Sequence, residues 1–367
     1  MNSLCQIKKA NALLSISILF SLTACGELPG FNVDAKTDDF VQEPVRNDKI
    51  DILFVIDNSG SMADEQAILA QSFEEFIKKF TDKKLDFQVG VISTDHVSDA
   101  SWWSTSNPRY ADFANAGPGS LLGYQTNERI LRADSENIVA KFVQNSTLGI
   151  IGSGAEAGVK AATTALSTTM LGAGGWNEGF VRDEAMLAVV FVSDEDEGVL
   201  TGSTAAQKRY YIRGNATAAA SRREAFVSRL GELKSDVSLL SINAVVAPTQ
   251  AECPSVWVND DSLLSTGDFY MDIANEYGGK IIPICRDFSG PIIELGADLV
   301  KLLSRFKLKQ KPDGQIRVYV NGTVVERDEV NGWAYISETN EVEFRGDAIP
   351  ASDALIEVVY VPGEPLG

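Results

Sequence analysis

From residue 48 to residue 306 the chain alternates continuous apolar runs with one-sided apolar stripes. The run at 51–56 (DILFVI) is almost unbroken, the pattern of a strand covered on both faces of a parallel sheet. Residues 67–80 follow at helical spacing, with Ile68, Leu69, Phe73, Phe76, Ile77 and Phe80 on one face. Further strands are predicted at 87–93, 186–193, 237–246 and 280–284. Helices are predicted at 135–144, 155–167, 221–233, 270–277 and 291–306. Strands alternating with helices imply a doubly wound α/β domain with a mostly parallel sheet.

Two long connections break this rhythm, at 94–128 with Trp102 and Trp103, and at 247–267 with Cys253. Connections of this length are functional or disordered. After Pro312 the period changes. Short alternating segments at 315–320, 323–327, 333–337, 341–345 and 354–361 predict strands, with Asn321-Gly322 as a type I′ hairpin turn. Residues 307–367 therefore read as a small all-β module, a spacer or docking unit without visible chemistry.

The N-terminus has a different character. Lys8 and Lys9 precede an apolar run from Ala12 to Ala24. Its 13 residues would span roughly 20 Å as a helix, short of the roughly 30 Å hydrocarbon core. Residues 1–24 thus read as a signal peptide. The end of the run, Leu22-Thr23-Ala24-Cys25, resembles the bacterial lipobox, which implies lipidation of Cys25 and anchoring to a membrane. Gly26 stands where an inner-membrane retention aspartate would sit, so the expected place is the outer membrane of a two-membrane envelope. Residues 25–47, rich in Asp, Glu and Pro, read as a tether.

Charge narrows the partners. The chain carries −19, and the signal peptide holds Lys8 and Lys9 and no acids, leaving −21 on the exported part. Such a surface repels phosphate backbones, so no nucleic-acid partner is expected. Of four cysteines, Cys5 lies in the signal and Cys25 would carry lipid. Cys253 and Cys285 remain as an expected disulfide in an exported chain.

The chemistry concentrates in Asp57-Asn58-Ser59-Gly60-Ser61, directly after the first strand and before the first helix. Ligands of α/β sheets bind beyond the carboxyl ends of the strands. A turn there can aim the oxygens of Asp57, Ser59 and Ser61 at one point. These are hard donors suited to Mg²⁺, Mn²⁺ or Ca²⁺. With one charged ligand of three, the metal stays electron-poor and open to a carboxylate of a protein partner.

The string DILFVIDNSGSM resembles the first strand and metal-ion-dependent adhesion site of von Willebrand factor A domains. The resemblance covers residues 48–306. SDEDEG, Tyr277-Gly278-Gly279 and ICRDF resemble a bacterial extracytoplasmic subgroup. It implies a further ligand after the strand at 186–193, where Asp194 stands. It also implies a threonine at the mouth of the helix near Ala155. The chain departs from the pattern there, offering Ser153 or Thr147. Glu195, Asp196 and Glu197 are expected as a solvated rim, with Asp196 open to a second cation. The resemblance implies metal-dependent adhesion or protein–protein interaction with a partner presenting an acidic residue. The alternative is a structural envelope protein whose metal only stabilises loops.

No enzyme is expected. His96 is the only histidine and is expected on a surface loop, so Ser-His-Asp and Cys-His mechanisms have one candidate base. Gly149, Gly152 and Gly154 lack the lysine of a phosphate-binding loop.

Overall fold

The computed structural model describes residues 36–40, 48–96, 111–123, 125–152, 156–201, 208–249, 251–253 and 266–363. The signal peptide, Cys25, most of the tether, Trp102, Trp103 and Ser153 lie outside the described residues. In chain order the first half holds β1 (Lys36–Phe40), β2 (Lys49–Ile56), α1 (Ala63–Thr81), β3 (Asp86–Ser93), α2 (Ala111–Ala116), β4 (Leu131–Arg132), α3 (Ile138–Ser146), α4 (Gly158–Ala165) and α5 (Thr168–Leu171). There follow β5 (Met186–Val192), β6 (Gly198–Thr201), β7 (Lys208–Tyr211), α6 (Ala216–Leu233), β8 (Leu240–Val246), α7 (Asp268–Glu276), β9 (Ile281–Pro283) and α8 (Ser289–Leu302). The last strands are β10 (Arg305–Lys307), β11 (Pro312–Val320), β12 (Thr323–Val325), β13 (Trp333–Ile336), β14 (Glu341–Phe344) and β15 (Ile356–Pro362).

Six strands make the central sheet in the order β4-β3-β2-β5-β8-β9. Four of its five pairings are parallel, and only β4 runs antiparallel to β3. The period of two along β2 sends Ile50, Ile52, Phe54 and Ile56 into one core, shared with α1, α3 and α8. Leu53 and Val55 enter the other, shared with α4, α6 and α7. Helices on both faces bury the strand entirely, which is why it reads as a continuous apolar run. Phe54 anchors the first core, its ring edge-on to Phe73, Phe76 and Phe142 at centroid distances of 6.5, 5.7 and 5.2 Å.

Asp51 is the exception inside that run. It is fully buried, and accepts the Arg182 backbone N–H at 2.7 Å and its Nε at 2.9 Å. Burial pushes its carboxyl up to about 6 despite the guanidinium. The pair closes the amino-terminal end of the sheet.

Several boundaries move. The helix expected over 291–306 ends at Leu302, and Arg305–Lys307 becomes β10, antiparallel to β14. A boundary between 306 and 307 therefore falls inside a strand. Residues 237–239, expected as strand, form a 3₁₀ turn capped by Asp236 before β8 begins. The C-terminal strands divide into two sheets, β1-β15-β11-β12 and β10-β14-β13. Asn321 (φ 51°) and Gly322 (φ 76°) take the left-handed conformations a type I′ turn requires.

Within the expected tether, β1 pairs antiparallel with β15, from Lys36↔Tyr360 to Phe40↔Ile356. Its sequence, KTDDF, shows no alternation. Backbone groups, satisfied along an open sheet edge, make this strand. Nor is the C-terminal part a separate bead. Phe306, Val318, Trp333, Val342 and Phe344 belong to the same buried cluster as Phe54 and Phe76. Lys83 O accepts the Ser352 N–H at 3.0 Å, and Lys83 Nζ donates to Ile349 O at 2.6 Å. Lys83 precedes β3, so the β-strands sit under the amino-terminal end of the central sheet.

The expected disulfide is present. Cys253 and Cys285 are bonded, with Cα atoms 5.4 Å apart and 32 residues of separation. It ties the long connection after β8 to the chain leaving β9. Among the described residues no helix is long and apolar enough to cross a membrane.

Candidate functional site

Parallel register assembles the site. Ile56 pairs with Ser93 on one side and Val192 on the other, so β2, β3 and β5 end level. The ladder runs one step further, with Asp57 N donating to Val192 O at 2.9 Å and Thr94 N to Ile56 O at 3.1 Å. Asp57, Thr94 and Ser193 therefore leave the sheet side by side, although up to 136 residues separate them in the chain.

The Asp57 side chain is fully buried. Its Oδ1 accepts the Ser59 N–H at 2.7 Å and its Oδ2 accepts the Ser193 hydroxyl at 2.6 Å. The Ser59 and Ser61 hydroxyls stand 3.3 Å apart, Ser59 buried and Ser61 exposed. Asp194 is also buried. Burial first, and the Asp194 charge second, push the Asp57 carboxyl up to about 7. Glu65, in the first turn of α1, is raised by its own burial and by Asp194. Asp57, Ser59, Ser61 and Asp194 thus share one locality at the carboxyl end of the sheet.

Of the two candidates for the remaining hydroxyl ligand, Ser153 lies outside the described residues. Thr147 closes α3, its Oγ1 donating to Val143 O at 2.6 Å. Its loop is nevertheless clipped to the Asp57 loop by Gln66. That amide donates to Asp57 O at 2.8 Å and to Gly149 O at 3.0 Å, and its Oε1 accepts Gly149 N–H at 3.1 Å. Gly152 N–H donates to Asn58 O at 2.9 Å, and a Cβ on Gly152 would collide with the Asn58 side chain. Gly149 and Gly152 thus pack the 147–152 segment against this loop.

The acidic run after β5 is not a solvated rim. Glu195, Asp196 and Glu197 are all buried. Glu197 accepts the N–H groups of Val159 at 2.9 Å and Lys160 at 3.2 Å, and pairs with Arg222 at 2.7 Å. A carboxylate at these free donors holds the start of α4. Asp196 does the same for α7, accepting Phe269 N–H at 2.9 Å. His96 is likewise no surface residue. It is half-buried, its Nε2 2.9 Å from Thr164 Oγ1, and burial together with Lys160 lowers its pKa to about 4. The Thr164 hydroxyl also donates to Lys160 O at 3.0 Å.

Further polar side chains surround Asp57. Asn58 donates to Asp95 at 2.8 Å and accepts the Ser93 hydroxyl at 2.9 Å. Glu156 is fully buried and accepts the Thr94 hydroxyl, and burial first, then the Asp57 charge, push its carboxyl up. The sequence clue to Glu156 is an acid alone among small residues, Ala155-Glu156-Ala157-Gly158, at the helix mouth.

Chemically this is a cluster of buried carboxylates and serine hydroxyls. Among the described residues no three His, Cys, Asp or Glu side chains converge to hold a metal by themselves. A cation here would draw its remaining ligands from the Ser59 and Ser61 hydroxyls. The donor set fits a hard divalent ion, whose charge would offset the cost of burying Asp57 and Asp194 together.

No family model and no curated protein matches the chain. Solved structures with some likeness include the pilus adhesin SpaC from Lactobacillus rhamnosus GG in its open conformation. It shares 11% identity at a TM-score of 0.39, covering 85% of this chain and 38% of the adhesin. Proximal thread matrix protein 1 from the mussel byssus shares 10% at 0.35, covering 73% of this chain and 51% of its own. The human COPII-coat protein Sec24c shares 12% at 0.33, covering 87% and 40%. The chain spans about two fifths of the adhesin's length. Likeness at this level carries no argument for fold or function.

Proposed function

We propose that this chain is a lipid-anchored envelope protein of von Willebrand factor A type that binds partners through a divalent cation. Asp57, Ser59 and Ser61 hold Mg²⁺, or Mn²⁺ or Ca²⁺ in its place, with Asp194 beside them. An acidic side chain of a partner protein takes the position open to solvent at Ser61. The observation that carries this reading is the DxSxS loop itself. It leaves the central strand with a buried Asp57, adjacent serine hydroxyls 3.3 Å apart and Asp194 alongside. The anchor fits the same picture. β1, eleven residues after Cys25, joins the sheet edge at β15, so the folded part begins a short tether from the lipid.

Thermal unfolding of the full-length protein in detergent, in EDTA and in excess Mg²⁺ or Mn²⁺, tests the cation. At about 100 times its dissociation constant a ligand stabilises by roughly 2.7 kcal/mol, a shift of about 4 °C for a chain of this size. The shift is expected in wild type and absent in Asp57→Ala. A wild type insensitive to every divalent ion would end the proposal. Capture of protein partners that survives EDTA would leave the cation a structural role only.

A further inference from the structure

The chain carries 51 acids against 32 lysines and arginines, yet one segment reverses that balance. Residues 305–317 (RFKLKQKPDGQIR) hold five basic side chains and one acid, Asp313. Phe306 and Leu308 are buried and tie the segment to the core, while Arg305, Lys307, Lys309, Lys311 and Arg317 are all exposed. Arg305 and Lys307 are engaged along β14. Arg305 pairs with Glu343 at 2.7 Å, and Lys307 stands opposite Glu341 in the β10–β14 register. Lys309 and Lys311 lie where the chain leaves that sheet for β11, and Arg317 lies on β11 itself.

Pairing places these three cations where the tether enters the fold. Gln310 N–H donates to the Tyr360 hydroxyl at 3.2 Å, Gly363 N–H donates to Lys311 O at 2.7 Å, and Arg317 stands opposite Val359. Tyr360 is also the partner of Lys36, the first residue of β1, so the chain from Cys25 joins the sheet at this same end. The acids of β1 fall further along, Asp38 opposite Val358 and Asp39 opposite Glu357. Eleven residues from Cys25 to Lys36 reach roughly 36 Å at full stretch and roughly 18 Å as a flexible coil. We infer that Lys309, Lys311 and Arg317 form a contact surface for anionic phospholipid headgroups, which seats the anchored protein on the bilayer by this end. The inference rests on the proposed lipid at Cys25. Each cation at an anionic surface strengthens binding about fivefold, and its pull fades beyond roughly 8 Å at physiological salt. The acidic remainder of the chain is repelled by the same headgroups, which leaves this end as the one that can approach them.

The test uses the full-length protein reconstituted into phosphatidylcholine vesicles, and into vesicles that are about one third phosphatidylglycerol. A fluorophore on Gln315→Cys, an exposed position on β11 between Lys311 and Arg317, reports quenching by spin-labelled headgroups, which act only at close range. Mass spectrometry reads the lipid on Cys25, and circular dichroism confirms folding. Quenching is expected to be at least about twofold stronger on the anionic vesicles. Replacing Lys309, Lys311 and Arg317 together with glutamine should remove that difference. Replacing Arg223, Lys280 and Arg286 with glutamine, the same charge change on α6 and around β9, should leave it in place. Equal quenching on both vesicles, or a difference that survives in the first variant, overturns the inference. So does a control variant that loses the difference equally, because net charge alone would then explain it. Should the first variant not fold, raising the salt from about 0.1 to about 1 M shortens the screening length from roughly 10 to 3 Å. A difference that fades there supports the contact, and one that persists overturns it. Cys25 without lipid overturns the anchor and the inference together, whereas lipidated protein quenched equally on both vesicles overturns the inference alone.

Discussion

Replacing Gln66 with methionine removes the clip between the Asp57 loop and the loop at 147–152 while keeping nearly the same volume. The wild-type amide makes three hydrogen bonds, to Asp57 O, Gly149 O and Gly149 N–H, at 2.8, 3.0 and 3.1 Å. Each is worth about 1 kcal/mol net, and a buried partner left unpaired costs about 1–3 kcal/mol. Gly149 is only half-buried and can recover water on both of its groups, whereas the carbonyl of fully buried Asp57 cannot. The expected loss is therefore about 3 kcal/mol, equivalent to a midpoint about 5 °C lower for a chain of this size. Urea unfolding followed by circular dichroism measures the loss. Hydrogen exchange at the Gly149 amide shows where it falls. A loss under about 0.5 kcal/mol with Gly149 protection unchanged would refute the clip. If the loop is also the cation site, the same variant weakens Mn²⁺ binding without touching a ligand.

Two further outcomes follow from other parts of the structure. Replacing Cys253 and Cys285 together with serine removes a crosslink between residues 32 apart. In the chain-entropy account this costs about 3–4 kcal/mol, and a change below about 1 kcal/mol in urea unfolding would put the effect outside that account. His96, the only histidine, titrates alone in a proton NMR experiment. Its folded pKa lies near 4, below the ordinary 6.5, because burial and Lys160 disfavour the charged ring. The neutral ring is thus part of the folded state. Its contribution to stability is whole above about 6.5 and is lost as pH falls towards 4, because the unfolded chain binds the proton first. His96→Asn should flatten that part of the pH profile, and an NMR midpoint near 6.5 would contradict the buried position.

The carboxylates of this protein are not only surface charge. Asp51, Asp57, Glu156, Asp196 and Glu197 are each fully buried. Asp51 and Glu197 meet arginines, and Asp196 caps a helix. Asp57 and Glu156 instead each accept a hydroxyl, from Ser193 and Thr94.

Features that depend on local period and local chemistry are legible along the chain. The run DILFVI could only be a doubly covered strand, and the stripe from Ile68 to Phe80 could only be a helix lying on it. Asp57, Ser59 and Ser61 were legible because strand, loop and helix are contiguous, and the Cys253–Cys285 pair because no other partners remained in an exported chain. Tertiary structure decided whatever depends on contacts between distant segments. The level ends of β2, β3 and β5 bring Ser193 and Thr94 to Asp57, and no local pattern encodes that register. Glu195, Asp196 and Glu197 resemble a solvated charge run, and only the free N–H groups of α4 and α7 draw Glu197 and Asp196 inside. The segment KTDDF becomes a strand because β15 offers it an open edge, through backbone groups that every residue carries alike.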